Sequence, residues 1–233
     1  MELQHKPDPA HASSQALMAL VAAGDGTAFE VLMRKHNQLL FRTARSIVRD
    51  ETEAEDVVQE AYLLAYRKAA GFRGEASLST WLVRIVVNEA NGRLRKQRRR
   101  ADIIQLVPGG DGGDGGEEDS MDDAFGAAPE APDEAALRAE ARKLIEARID
   151  ALPDKLRTVF VLRAIEDLSV QETAEALGIP DVTVRSQFFR ARGLLREALA
   201  RDFDNAAASA FSFDGARCDR IVAAVLARLP CID

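Results

Sequence analysis

The sequence predicts an all-α protein: two small helical domains, residues 13–101 and 134–201, joined by a flexible acidic linker over 102–133 and followed by a C-terminal extension, 202–233, holding one short helix. Three observations carry this. Apolar residues recur three and four apart through both long segments and never alternate in the strand manner for any length. Between Ala101 and Glu134 there are eleven acids, no Lys or Arg, and seven of the fifteen glycines. Finally, Gly178, with Pro180 and Asp181 just after it, separates two short helical runs in the manner of a helix-turn-helix.

In the first domain the helical spacing runs through Phe29, Leu32, Met33, Leu39, Leu40, Ala44 and Ile47. It resumes at Val57, Val58, Ala61, Tyr62 and Ala65, and again at Leu78, Trp81, Leu82, Ile85 and Val86. Breaks fall at Gly24-Asp25, Arg49-Asp50-Glu51 and Gly71-Phe72-Arg73-Gly74. A short helix starts near Ser14 after a disordered tail over residues 1–12, and Ser79 is placed to cap the last helix. Trp81 lies in the apolar stripe and reads as core. In the second domain Leu137, Ala141, Leu144, Ile145, Ile149 and Leu152 mark one amphipathic helix, stopped by Pro153. A second starts at Asp154. Ser169-Val-Gln-Glu172 reads as a capping box, Gly178 suits the left-handed position past a helix end, and Asp181 can cap the helix that follows.

The formal net charge of -7 argues, taken whole, against a nucleic-acid partner. The linker acids alone produce that sign: without them 27 acids face 31 bases, and the remainder of the chain carries about +4. A stretch so rich in acid and glycine cannot offset its ordering entropy by burial. About 34 linker residues would have a coil size of roughly 30 Å and an extended reach of roughly 110 Å. No run approaches the roughly 20 apolar residues of a membrane span, and the first dozen residues lack the parts of a signal peptide, so a cytoplasmic protein without membrane insertion is expected. The only cysteines are Cys218 and Cys231, and all three histidines precede residue 40, which speaks against a disulfide framework or a metal site. No nucleophile, paired-carboxylate or phosphate-loop pattern is present. Neither an enzyme nor a cofactor is expected.

The last helix of the first domain is the informative one. Arg84, Asn88, Asn91 and Arg95, spaced four, three and four, form one row opposite the buried stripe. The helix then enters Arg93-Leu-Arg-Lys-Gln-Arg-Arg-Arg100, six bases in eight residues. The row alone reads equally as a solvated face. With the cationic end attached, amides and guanidinium forks suit base edges while the bases neutralise phosphate. Asp56, Gln59 and Glu60 share an exposed face at the start of the preceding helix; they suit either the helix dipole or a docking surface. In the helix after Gly178, Val184, Phe188, Ala191, Leu195 and Leu199 form the core stripe. Arg185, Ser186, Phe189 and Arg190 fall outside it, at the end that enters the major groove in helix-turn-helix proteins. Phe189 either touches a thymine methyl or packs within the chain.

The order of these features resembles the extracytoplasmic-function (group IV) class of bacterial RNA polymerase sigma factors. The resemblance rests on Asp56-Val-Val-Gln59-Glu60-Ala, Phe72-Arg-Gly74, Thr80-Trp-Leu-Val-Arg-Ile-Val-Val-Asn88, and Leu152-Pro with Arg157-Thr-Val-Phe-Val-Leu-Arg163 before the helix-turn-helix. It covers residues 13–201 and implies that the first domain is region 2 and the second region 4. It further implies that Asp56, Gln59 and Glu60 meet the β′ clamp helices of core polymerase, with region 4 meeting the β flap. Phe72, Arg73, Arg84, Asn88, Asn91, Arg95 and Arg98 would face the −10 element, whose extruded base the Phe72–Ser79 loop captures. Thr183, Arg185, Ser186, Phe189 and Arg190 would read the −35 element. The linker would thread towards the RNA exit path, and an anti-sigma factor would control activity in a stress or signal response. Position 92 is Gly where the family often carries a second polar residue, which bears on the −10 preference.

The rival readings are a stand-alone helix-turn-helix regulator and a sigma mimic that sequesters an anti-sigma protein. Beyond residue 201, Cys218, Ile221, Val222, Val225, Leu226 and Leu229 make a narrow apolar stripe ended by Pro230. It packs on the second domain, with Cys218 as a small buried hydrophobe, or it contacts an anti-sigma protein or the polymerase.

Overall fold

Ser13 opens the first helix by accepting a hydrogen bond from the Ala16 amide at 3.3 Å, and α1 runs Ser14–Ala22. The computed structural model describes residues 12–105, 132–209 and 215–226, and every extended element among them is helical. The central part of the expected linker and both ends of the chain lie outside the described residues. α2, Gly26–Val48, is capped by Asp25, whose carboxylate accepts from the Thr27 and Ala28 amides, and it ends at Arg49 in the left-handed region. α3, Glu51–Lys68, is capped by Asp50 through the Glu53 amide at 2.7 Å, and a 3-10 turn over Ala69–Gly71 follows.

α4 runs Leu78–Gln105, and its cap is Ser77 rather than Ser79. The Ser77 hydroxyl accepts from the Thr80 amide at 3.1 Å. Leu78, 4% exposed, is already required in the core, so the chain must be helical from that residue and Ser79 falls inside the first turn. Leu17, Leu32, Leu40, Val57, Ala61, Leu82 and Val86 build the centre of this bundle. Trp81 packs on its edge, as its place in the stripe predicts.

The second segment holds α5 (Pro132–Asp150), α6 (Asp154–Phe160), a π-helical turn over Val161–Ile165, α7 (Val170–Leu177) and α8 (Asp181–Ser209). The capping box at Ser169 and Glu172 is complete, and Gly178 takes φ 65°. Asp181, expected as a cap, instead occupies the first turn of α8. The Pro180 carbonyl already accepts from the Thr183 and Val184 amides, so the helix begins one residue sooner. The α5 stripe is also only partly buried: Leu144 and Ile145 are 41% and 45% exposed. α5 packs chiefly on α8, and the contact is held at its last turn by Ile149 and by the Arg148–Asp202 ion pair. The side chain of Leu137 lies outside the described residues. α9 (Gly215–Leu226) leaves Cys218, Ile221, Val222, Val225 and Leu226 exposed, the four aliphatic residues by about half their surface, so the expected burial of this stripe and of Cys218 against the second domain does not occur. Leu229, Pro230 and Cys231 are outside the described residues.

The two segments share one interior. Leu162, Leu168 and Ala176 belong to the same buried cluster as Leu82 and Val86, and α7 packs against α4. Arg157, 0% exposed, joins the halves. Its Nε donates to the Ser46 carbonyl at 2.6 Å, Nη1 donates to the carbonyls of Asp150 and Leu152 at 3.2 Å, and Nη2 meets Asp154 at 3.1 Å. A helix leaves its last four carbonyls without intrahelical donors. Ser46 and Asp150 supply such carbonyls at the ends of α2 and α5, and one guanidinium satisfies both.

Candidate nucleic-acid interface

α4 positions its polar row by burying the opposite side. With Leu82, Val83, Val86, Val87 and Ala90 in the core, Arg84, Asn88 and Arg95 emerge exposed and Asn91 half-buried. From Arg95 to Arg100 every residue is exposed. Arg93 is the exception within the basic run: it turns inward, 3.5 Å from Glu89 and 3.3 Å from Asp56. Arg98 lies 3.8 Å from Asp154. The row and cationic end therefore occupy one helix, and the acids Glu53 and Asp56 of α3 flank its other side, where Gln97 donates to Glu53 at 2.6 Å.

The Phe72–Ser79 segment forms the wall of a cleft of about 380 Å³. Phe72 is fixed edge-on to Trp81, ring centroids 5.5 Å apart, so the core tryptophan sets the aromatic at the mouth. Lys35, His36, Gln15 and Ser77 complete the lining. Gly74 sits at φ 72°, a backbone conformation that strains any residue with a Cβ, and the nearest neighbour of that position is the flexible end of the Gln15 side chain. Burial, helped by the neighbouring Lys35, lowers the His36 pKa to about 4, which keeps the ring neutral. Arg73 projects into solvent near Glu75 at 4.0 Å. Gln15, Lys35 and His36 do not stand out in the sequence; the polar run Ser13-Ser14-Gln15 at the start of a buried helix is the available signal.

On α3, Asp56 and Gln59 are exposed and Glu60 is half-buried, 3.9 Å from Arg67. Asp56 and Glu60 are thus both within reach of bases of the same bundle, while Gln59 projects freely to solvent.

In α8, Arg185, Ser186, Phe189 and Arg190 are exposed together, and Thr183 is half-buried. Phe189 is 79% exposed and does not pack within the chain. Its neighbour Phe188 turns inward, stacked on Phe160 at 6.2 Å, with the Arg163 and Arg192 guanidinium groups over its ring. Ser186 donates to the Thr183 carbonyl at 3.0 Å and Arg185 lies 4.0 Å from Asp181. The result is a basic, aromatic-bearing helix end supported by a capped α7. The two exposed polar sets stand on different helices, α4 and α8, with α7 packed against both.

Two helical units of this kind define the sigma-70 class of DNA-binding proteins, and the sequence matches it directly: Sigma-70 region 2 over residues 32–100 and Sigma-70 region 4 over residues 142–195. The chain is 36% identical over 185 residues to the RNA polymerase sigma-H factor of Pseudomonas aeruginosa, covering 79% of this chain and 93% of that one. It is 35% identical over 182 residues to the ECF RNA polymerase sigma-E factor of Escherichia coli, covering 77% and 91%. The chain belongs to the extracytoplasmic-function RNA polymerase sigma factors, and is a transcription-initiation factor. The region 2 match removes the reading as a stand-alone helix-turn-helix regulator. Among solved structures, CnrH in complex with the cytosolic domain of CnrY is similar with a TM-score of 0.56 at 25% identity, covering 82% of this chain and 99% of that one. The sigma factor RpoE of Bartonella quintana, solved with the anti-sigma factor NepR, shares the fold at 23% identity and a TM-score of 0.56, covering 74% and 96%.

Proposed function

We propose that this group IV factor recognises a two-part promoter through the two exposed sets described above. Residues 13–101 act as region 2, with Arg84, Asn88, Asn91, Arg95, Arg98, Phe72 and Arg73 facing the −10 element. Residues 134–201 act as region 4, with Thr183, Arg185, Ser186, Phe189 and Arg190 facing the −35 element. The single observation that supports this most is the separation of faces on α4 and α8. In each, the apolar stripe faces the interior and most of the polar set at helical spacing is left in solvent, with Asn91 and Thr183 half-buried, next to a basic run in one case and an exposed aromatic in the other.

The mode of action follows from the chemistry. Guanidinium forks and amides discriminate base edges by about 1–3 kcal/mol each, and Phe189 offers an apolar surface to a thymine methyl. The cleft beside Phe72 has room for one unstacked base. Asp56, Gln59 and Glu60 bind the β′ clamp helices of core polymerase, and region 4 meets the β flap. The factor contributes binding energy, and the polymerase performs catalysis. A relative in fold, RpoE of Bartonella quintana, is solved with the anti-sigma factor NepR, which supports control of this chain by an anti-sigma factor in a stress or signal response. No helix among the described residues is long and apolar enough to cross a membrane, in keeping with a cytoplasmic role beside the polymerase. Run-off transcription by purified core polymerase tests the reading: specific initiation is expected only with the protein present, and its absence on promoters selected from the parent genome would overturn it.

A further inference from the structure

The cleft beside Phe72 is lined by three stretches distant in sequence: the start of α1, Lys35 and His36 on α2, and the loop from Phe72 to Ser79. Its polar groups divide into those already engaged and those that are not. The Ser13 hydroxyl accepts from the Ala16 amide. Ser77 accepts from the Thr80 amide at 3.1 Å, and its one proton is shared between Thr80 and Glu172. Gln15, Lys35 and His36 have no hydrogen-bond or ion-pair partner among the described residues. His36 is only 6% exposed. A buried polar side chain without a partner is the exception in proteins, so its ring marks the cleft as a place that receives a polar guest. Among the described residues no carboxylate lines the cleft. Glu172, which reaches Ser77, is held by its own capping box.

We propose that Lys35 selects the base that enters this cleft, admitting one with a ring carbonyl (guanine, thymine or cytosine) and rejecting adenine, while Gln15 and His36 complete the remaining hydrogen bonds of that base. The inference rests on the reading of the cleft as the receiver of an unstacked base and adds the choice of base to it. Phe72 cannot make that choice, because stacking on an aromatic ring is tolerant of base identity. Gln15 and His36 cannot make it either: an amide carries both donor and acceptor, and the neutral imidazole carries one of each. Lys35 differs. It is exposed, and its ammonium has three donors and no acceptor. A hydrogen bond from such a cation is roughly twice as strong as a neutral one. Adenine alone among the four bases has no carbonyl oxygen, and it puts an amine where guanine and thymine present O6 and O4; cytosine, with an amine there, keeps O2. A pure donor therefore finds a carbonyl oxygen in three bases and a competing donor in the fourth.

The test uses the full chain assembled with core polymerase, on fork-junction promoters in which each non-template position of the −10 element carries each of the four bases in turn. Affinity for every fork is read by competition, and thermal melts accompany each variant. At one position the wild type should bind the adenine fork about tenfold more weakly than the other three. K35A should bring adenine to within about threefold at that position alone. K35E, whose carboxylate accepts from an exocyclic amine, should reverse the order there. Lys35 is exposed, so neither substitution disturbs the core. A wild type that favours adenine at every position where it discriminates, or variants that keep the wild-type preferences throughout, would overturn the selection and leave the sigma-factor reading intact. So would a loss shared equally by all four forks, which would assign Lys35 to a phosphate. If no protein formed a promoter-specific complex on any fork, the sigma-factor reading itself would fall, and the choice of base with it.

Discussion

Arg93 on α4 lies 3.3 Å from Asp56 on α3, so the residue proposed to meet polymerase is already held by a base of its own bundle. The pair is partly exposed, and such pairs contribute about 0–1 kcal/mol to stability. Replacing Asp56 should therefore cost the fold little. We expect D56A and Q59A each to weaken core polymerase binding by about tenfold or more, with Tm falling by no more than about 4 °C. Titration of labelled factor against core, alongside thermal melts, checks both halves. A loss of binding that merely tracked a loss of stability would count against a docking role.

Arg190 and Arg98 should fail in different ways. Arg190 is on the exposed end of α8, where a base contact is proposed, so R190A should reduce discrimination at one −35 position by about 1–3 kcal/mol. Arg98 lies in the basic run of α4. In the assembled holoenzyme, R98A should weaken all promoters alike and reduce the slope of log K against log salt by about 1. Binding measured across a salt series on matched and mismatched promoters separates the two.

Gly74 is restricted by its backbone, at φ 72°, while the Gln15 side chain beside it can move aside. G74A should destabilise region 2 by about 1–3 kcal/mol and impair promoter opening more than promoter binding, because the loop it distorts lines the cleft proposed to hold an unstacked base. Adding Q15A removes the side-chain contact but not the backbone strain, so it should recover little of the stability. Denaturant melts of the single and double variants give the comparison.

His36 makes stability depend on pH. Its folded pKa, about 4, lies below the ordinary 6.5 because burial disfavours the charged ring and Lys35 adds repulsion. The unfolded chain therefore binds the extra proton first. The contribution is fully present above about pH 6.5 and is lost progressively as pH falls towards 4, reaching at most about 3.5 kcal/mol at ~1.4 kcal/mol per unit. H36Q should flatten the fall between pH 6.5 and 4.5 relative to wild type. Carboxylates titrate in both proteins, so the difference between the two curves is the quantity to read.

What could be read from the chain was what local chemistry specifies. Ser169 and Glu172 form their capping box because both partners lie within one turn, and Gly178 takes the left-handed position because any other residue would be strained there. Helix starts were less secure where two polar residues compete: Ser77 wins over Ser79 because Leu78 must be buried, and Asp181 yields to Pro180 because a main-chain carbonyl does the same work. The stripe of α5 was legible as a pattern but not as burial, since nothing local says that Leu144 and Ile145 have no helix above them. Arg157 was the least readable. An arginine in an amphipathic helix looks like a surface residue, and its partner is a carbonyl 111 positions away that any side chain at 46 would provide. On α4 and α8 the exposed sets emerged as read, because helical periodicity fixes both faces once one is apolar.

The interior common to Leu82, Leu162 and Leu168 gives the chain a property usually met in assemblies of separate subunits. Opening removes wall from each half at once, so each half serves as the other's missing partner, as protomers do in an obligate dimer. Whatever draws the halves apart has to offer a replacement surface, and the exchange resembles a swap of subunits more than the swing of a hinge. Because one chain carries both faces, their meeting again after any separation would be a first-order event that dilution of the protein cannot slow.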